Sequence, residues 1–200
     1  MKVVFLQGIK TVLRPLEKSD VPLITKWIND PEVSQYIAAY LPATEGEEEA
    51  WIENLAKKKD QGLVLAIEVN GKHIGNMGVH DINWRNRTAT TGALIGEKEY
   101  WGKGFGKDAK MIFLDYLFNT LNLRKISSSV IAFNKRSLNY SLACGYVLEG
   151  RKRRQMFRKG RYYDEIILGL FKNEWLPYWR EYKARLDASK ALALSEAGKK

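Results

Sequence analysis

Gly96-Glu-Lys-Glu-Tyr-Trp-Gly-Lys-Gly-Phe-Gly106 places four glycines between a segment with strand character and one with helix character. Upstream, Thr88–Ile95 (TATTGALI) is β-branched and aliphatic, and Gly92 within it marks a bulge or a splayed edge. Downstream the period changes. Ala109, Ile112, Phe113, Tyr116, Leu117 and Leu121 recur at three- and four-residue steps, which predicts a helix with one buried face. Between the two, Gly102, Gly104 and Gly106 alternate with Trp101, Lys103, Phe105 and Lys107. Alternate glycines let the backbone turn tightly and approach a ligand with no Cβ in the way. Unpaired N–H groups and the dipole at the helix start favour an anion, and Lys103 and Lys107 add cations, so the segment suits a pyrophosphate. A glycine-rich connection that only punctuates the chain is the simpler alternative. A Walker A loop is set aside because no Gly-Lys-Ser/Thr follows, and a dinucleotide fold because no early βαβ unit carries the required acidic residue.

Two hundred residues with 45% hydrophobic content suit one domain with a packed core. The single cysteine, Cys144, excludes an internal disulfide and fits a reducing compartment, and its place late in a helical segment favours a small buried hydrophobe over a nucleophile. The apolar run Val3-Val-Phe-Leu6 is too short for a signal peptide and no run reaches membrane-spanning length, so a cytoplasmic protein without a membrane partner is expected. The net charge of +10 calls for an anionic partner, and Arg151–Arg161 (RKRRQMFRKGR) concentrates seven cations with no acid. That stretch reads as a solvated hairpin, as a lip for a polyanionic cofactor, or as a patch for nucleic acid or ribosome.

A first strand is expected over residues 11–14, then a helix capped by Asp20 and stopped by Pro31. Thr44 and Glu47 form a capping-box pattern for a second helix. Leu63–Val69, the Asn70-Gly71 hairpin signal, residues 72–82 and Thr88–Ile95 make an antiparallel meander. After the glycine loop and its helix, a strand over 124–131 implies a locally parallel pair. A helix over 134–144 ended by Gly145, strands over 146–150 and 162–171, and a last helix from Trp175 to about Ala193 follow, with Gly198-Lys-Lys200 expected to fray. The order describes an α+β sheet with helices packed on it. We divide it into a domain over residues 1–175 and a C-terminal helical extension over 176–200. Trp175 and Trp179 offer a homodimer surface or, equally, a lid on the core.

The chain resembles the GNAT N-acetyltransferases, whose Gln/Arg-x-x-Gly-x-Gly/Ala signature accepts the pyrophosphate of acetyl-coenzyme A. Here it is Trp101-Gly-Lys-Gly104-Phe-Gly106, with Trp101 in the Gln/Arg position. That form is similar to the branch related to ribosomal-protein alanine acetyltransferases and spermidine acetyltransferases. Asn134-x-x-Ser137 followed by Cys144-Gly145-Tyr146 is a second match, and Glu149-Gly-Arg151 with Gly160-Arg-Tyr-Tyr-Asp164 a third. The resemblance implies a mixed twisted sheet flanked by helices and splayed at its central parallel pair. It also implies acetyl-CoA as cosubstrate without a metal, and transfer of acetyl to a primary amine: a protein N-terminus, a polyamine or an aminosugar. The alternative is a catalytically weak module of this fold that binds CoA, RNA or ribosome through the 151–161 hairpin.

The same resemblance assigns Trp101 through Lys107 to the cofactor, with Asn134 and Ser137 beside it and the backbone N–H near Ile95 polarising the thioester. Two positions depart from the family pattern. The usual glutamate base is replaced by Thr90, and the usual tyrosine acid by Ser141, with Tyr140 next to it. Ser141 is the first candidate acid and Tyr140 the second. His80, Asp81, Glu165 or a water chain could replace the base, and each of the three residues also has a structural explanation, as a strand histidine, a turn residue and a sheet-surface charge. Tyr36, Tyr40 and Trp84 are candidates for the acceptor pocket or for the core.

Overall fold

In the computed structural model, which describes residues 3–197, eight strands form one sheet. They are β1 (Leu6–Gln7), β2 (Val12–Pro15), β3 (Leu63–Val69), β4 (Lys72–Asn83), β5 (Thr88–Ile95), β6 (Lys125–Ile131), β7 (Val147–Arg158) and β8 (Arg161–Phe171), in the order β1-β2-β3-β4-β5-β6-β8-β7. β5 and β6 run parallel, and the remaining neighbours are antiparallel. The helices are α1 (Val21–Asn29), α2 (Pro31–Ser34), α3 (Glu45–Lys57), α4 (Phe105–Asp115), α5 (Lys135–Leu142) and α6 (Lys172–Ala197). This is the expected α+β architecture, with the parallel pair in place.

Local chemistry accounts for the boundaries. Asn70 and Gly71 both adopt positive φ, at 49° and 80°, as a tight hairpin between β3 and β4 requires. At the head of α3 the Glu47 amide donates to the Thr44 hydroxyl (3.3 Å) and the Thr44 amide donates to the Glu47 carboxylate (2.8 Å), closing the capping box. Pro31 does more than stop α1. It opens the one-turn α2, whose Glu32 amide donates to the Asp30 side chain (2.8 Å).

Adjacent residues of β5 separate the two cores, because neighbours along a strand face opposite sides of the sheet. Ile95 packs with the large cluster that includes Ile67, Met77, Phe113, Leu117, Ile126 and Leu168, under α4 and α6. Leu94 packs with the smaller cluster of Ile24, Trp27 and Val33, under α1 and α2. Helix α6 begins at Lys172, ahead of the expected division at residue 175. Its Trp175, Tyr182 and Leu186 belong to the large core, and Trp175 stacks on Trp179 at 5.1 Å. Asp108 binds this helix to the opposite end of the chain. Its carboxylate accepts from the Tyr182 hydroxyl (2.8 Å), the Thr11 hydroxyl (2.8 Å) and the amides of Lys10 and Thr11 (2.9 Å each).

β7 forms an edge of the sheet and runs to Arg158, well past the expected end at residue 150. Much of the basic run is therefore strand, interrupted by register shifts after Leu148 and Lys152 and by a positive φ of 51° at Arg154. Cations and bulges on an edge discourage another strand from adding there, which explains part of the charge without a ligand. Among the described residues no helix is long and apolar enough to cross a membrane. The tail Gly198-Lys-Lys200 lies outside the described residues.

Candidate active site

The site opens where the parallel pair comes apart. β5 and β6 are in register only at Thr88↔Lys125, Ala89↔Ile126 and Thr90↔Ser127. Just beyond, the Ser128 hydroxyl donates to the Thr91 carbonyl at 3.2 Å. From there β5 follows β4 and β6 follows β8, and a cavity of about 1530 Å³ occupies the fork. Gly92 is not itself bulged, since it pairs in register with Gly78; the irregularity it signalled lies on its β6 side.

The glycine turn bounds one end of this cavity. Gly102 and Gly104 take φ of 73° and 86°, a left-handed conformation that strains other residues, and Gly104 is the N-cap of α4. A Cβ added at Gly102 or Gly106 would meet nothing within 4 Å, so the turn and the first α4 amides face open space. Lys103 and Lys107 are exposed on this rim. Lys10, from the β1–β2 turn, adds a cation that sequence reading did not assign, with its Nζ donating to the Lys103 carbonyl at 3.3 Å. A pyrophosphate fits a backbone cradle so rimmed.

Trp101 anchors the turn. Its indole N–H donates to the Ile95 carbonyl at 2.6 Å, the Arg136 guanidinium lies 3.9 Å over its ring, and Tyr36 meets its edge at 6.1 Å. Glu97, just before the turn, accepts from the Trp27 indole (2.9 Å) and pairs with Lys72 (3.1 Å) and Lys26 (3.2 Å). Burial works to raise its carboxyl, but these partners prevail and hold it at about 2. Asn134 and Ser137 line the cavity, and the Ser137 amide donates to the Asn134 side chain (3.1 Å), so the Asn-x-x-Ser motif is also the N-cap of α5.

The two acid candidates separate sharply. Ser141 is 1% exposed and is not among the cavity-lining residues, whereas Tyr140 lines the cavity. Burial pushes the Tyr140 phenol well above its usual value, so it keeps its proton. Cys144 is fully buried, and burial pushes its thiol up to about 12, which makes a thiolate nucleophile inaccessible at neutral pH.

Of the three aromatic residues expected in an acceptor pocket or the core, Tyr36 lines the cavity, while Tyr40 is 81% exposed and Trp84 donates its indole N–H to the Asp60 carbonyl (2.8 Å). Neither Tyr40 nor Trp84 is among the lining residues. Glu48, Asp81 and Glu165 contribute carboxylates to the lining. Burial raises the Glu48 carboxyl, and Glu165 pairs with Lys152 at 3.3 Å. His80 lines the cavity beside Asp81, with Nδ1 2.8 Å from the carboxylate. The tip of the basic hairpin reaches the segment after α2. Arg158 donates to the Ile37 carbonyl (2.7 Å) and Lys159 to the Gln35 side chain (2.9 Å).

Known proteins resemble this chain in sequence and fold. The SPbeta prophage-derived uncharacterized N-acetyltransferase YokL of Bacillus subtilis is 26% identical over 88% of this chain and 97% of its own length. The spermidine N(1)-acetyltransferase of Escherichia coli K12 is 28% identical over 82% of this chain and 87% of its own. The solved spermidine N-acetyltransferase of Vibrio cholerae, in complex with CoA and spermine, superposes with a TM-score of 0.76 at 27% identity, covering 84% of this chain and 98% of that one. The sequence profile of the acetyltransferase (GNAT) domain matches residues 10–147, more than half of the chain, and the protein therefore belongs to the GNAT acetyltransferase family.

Proposed function

We propose that the protein transfers an acetyl group from acetyl-CoA to a primary amine by direct attack within the fork between β5 and β6. The observation that carries this reading is the juxtaposition of that fork with the glycine turn, so that an anion-binding cradle and a gap in the sheet share one cavity. The N–H groups from Gly102 to Lys107, with Lys10, Lys103 and Lys107, would hold the pyrophosphate, and Asn134 and Ser137 would border the pantetheine arm. The backbone near Ile95, fixed by Trp101, would place an N–H against the thioester carbonyl.

The amine must arrive without its proton, since an alkylammonium of pKa about 10.4 has no lone pair, and the departing thiolate, of pKa about 8.5, gains from a donor. Tyr140 is our choice for that donor. Its phenol stays protonated and can hydrogen-bond the sulfur as negative charge develops there. Alignment of two substrates in one cleft supplies up to ~7–11 kcal/mol of the acceleration, so no single side chain has to carry the rate.

Carboxylates at the acceptor end and the named activity of the Escherichia coli relative make a polyamine the first acceptor to try, ahead of peptide N-termini and aminosugars. The test is turnover of acetyl-CoA against these three classes, with RNA binding measured in parallel over a range of salt. Turnover with at least one class is expected. Cofactor binding without turnover on any class, together with RNA affinity that falls steeply with salt, would replace this reading with a binding module.

A further inference from the structure

The geometry points to His80 and Asp81 as the group that takes the proton from the acceptor amine, with His80 the catalytic base and Asp81 its positioning residue. The inference rests on the acetyl-transfer reading above. The β4–β5 ladder runs unbroken from Gly75↔Ile95 to His80↔Thr90, so His80 is the direct cross-strand neighbour of Thr90 and shares its sheet face. Thr90 is also the last residue of β5 in register with β6, at Thr90↔Ser127. His80 therefore stands one strand from the mouth of the fork, beside a threonine that cannot itself act as a base.

The backbone then departs from strand geometry at this place. In a regular strand residues 80 and 81 would project to opposite faces and could not meet. Here the ladder shifts register between His80 and Asn83, and Asp81 adopts a positive φ of 52°. The irregularity turns the Asp81 carboxylate to the side of the imidazole, with Oδ2 2.8 Å from Nδ1. Aspartate tolerates the left-handed conformation as a single residue, and at this irregularity it lets two sequence neighbours meet on one face.

The pairing also sets the tautomer. Nδ1–H donates to the carboxylate, which leaves the lone pair on Nε2, and no protein partner occupies Nε2 among the described residues. Both residues line the cavity, and the His80 side chain is 58% exposed, so an incoming amine can reach it. The competing carboxylate, Glu165, pairs with Ile131 on β6, further along the strand from the last β5–β6 pair at Ser127, and is engaged by Lys152.

Thr90 lies five positions before Ile95 on β5, so the ammonium gives one proton through bridging water to His80 Nε2, and the freed lone pair forms the new C–N bond at the thioester carbonyl. The C–S bond breaks, and the thiolate takes a proton from Tyr140. The second amine proton is shed to solvent as the amide forms. His80 returns its proton to solvent, and solvent reprotonates Tyr140, so that one proton is released per turnover.

The test compares wild type, His80→Gln, His80→Ala and Asp81→Asn with acetyl-CoA and an amine that wild type acetylates. His80→Gln should lower kcat by about 100-fold, in the range of general-base contributions, with KM for acetyl-CoA unchanged. Asp81→Asn should lower kcat by a smaller factor, and free imidazole should restore activity to His80→Ala in a saturable manner. A kcat of His80→Gln within twofold of wild type overturns the assignment, and so does a loss in His80→Ala that imidazole leaves unchanged. Absence of turnover in wild type with every amine class would instead overturn the acetyl-transfer reading itself.

Discussion

The two ends of the cavity are built in opposite ways. The donor end is backbone and buried helix: residues Asp108 to Leu114 of α4 are buried without a break, and Asp108 ties the β1–β2 turn and α6 to its first turn. The acceptor end rests on α3, none of whose residues is fully buried, and on a segment after α2 held by the hairpin tip. The difference teaches where specificity can change. A cosubstrate used by a whole family needs one fixed cradle, whereas an acceptor wall made of exposed helix and reaching side chains can be altered with little cost to the fold.

The largest expected effect comes from breaking the donor end. Gly104→Asp puts a side chain and a negative charge at the left-handed N-cap of α4. Acetyl-CoA at about 100 times its Kd should stabilise wild type by ~2.7 kcal/mol, and thermal melting should show that this gain is lost in the variant. A melting shift equal to wild type would remove the anion from the glycine turn.

Next in size is the proton donor. Tyr140→Phe should lower kcat by about tenfold, whereas Ser141→Ala, at a buried position away from the lining, should stay within about twofold. Steady-state kinetics with acetyl-CoA at saturation separates the two, and the reverse ranking would return the role to Ser141.

Glu97 ties the start of the glycine turn to α1 and β4, and it makes that tie sensitive to acid. Its folded pKa, about 2, lies below the ordinary carboxylate value of 4.5, so its contribution to stability is complete above pH 4.5 and is lost as pH falls through 2. Glu97→Gln should be less stable than wild type at pH 7, with a shallower decline in stability between pH 4.5 and 2. Urea midpoints at several pH values read this, and parallel curves for the two proteins would contradict it.

The smallest effect is expected at the hairpin tip. Arg158→Ala with Lys159→Ala frees the segment after α2, and KM for the amine should rise about threefold, since exposed polar contacts of this kind are worth ~1 kcal/mol or less. KM for acetyl-CoA should not move. Equal changes in both would show that the two ends are not separable.

The sequence made the donor end readable because its determinants are local. β3 and β5 begin and end at the expected residues, and the glycine spacing identifies the cradle by itself. What was not legible depends on contacts between distant residues. Lys10 meets the turn across 93 positions and Arg158 meets Ile37 across 121, and no spacing rule joins such pairs. Ser141 and Tyr140 are neighbours in sequence, and only the packing of α5 decides which one faces the cavity. The basic run similarly read as a hairpin with its flanks, because the alternation that marks a strand is hidden when most of its residues are charged.

The central claim is that acetyl passes directly from thioester to amine, with both substrates in the cavity at once. Cys144, fully buried and with its thiol pushed up to about 12, offers no intermediate carrier. Initial rates measured while acetyl-CoA and the amine are both varied test this most directly. Intersecting double-reciprocal lines, the pattern of a ternary complex, are the predicted result; parallel lines, which indicate an acetylated enzyme, would contradict it.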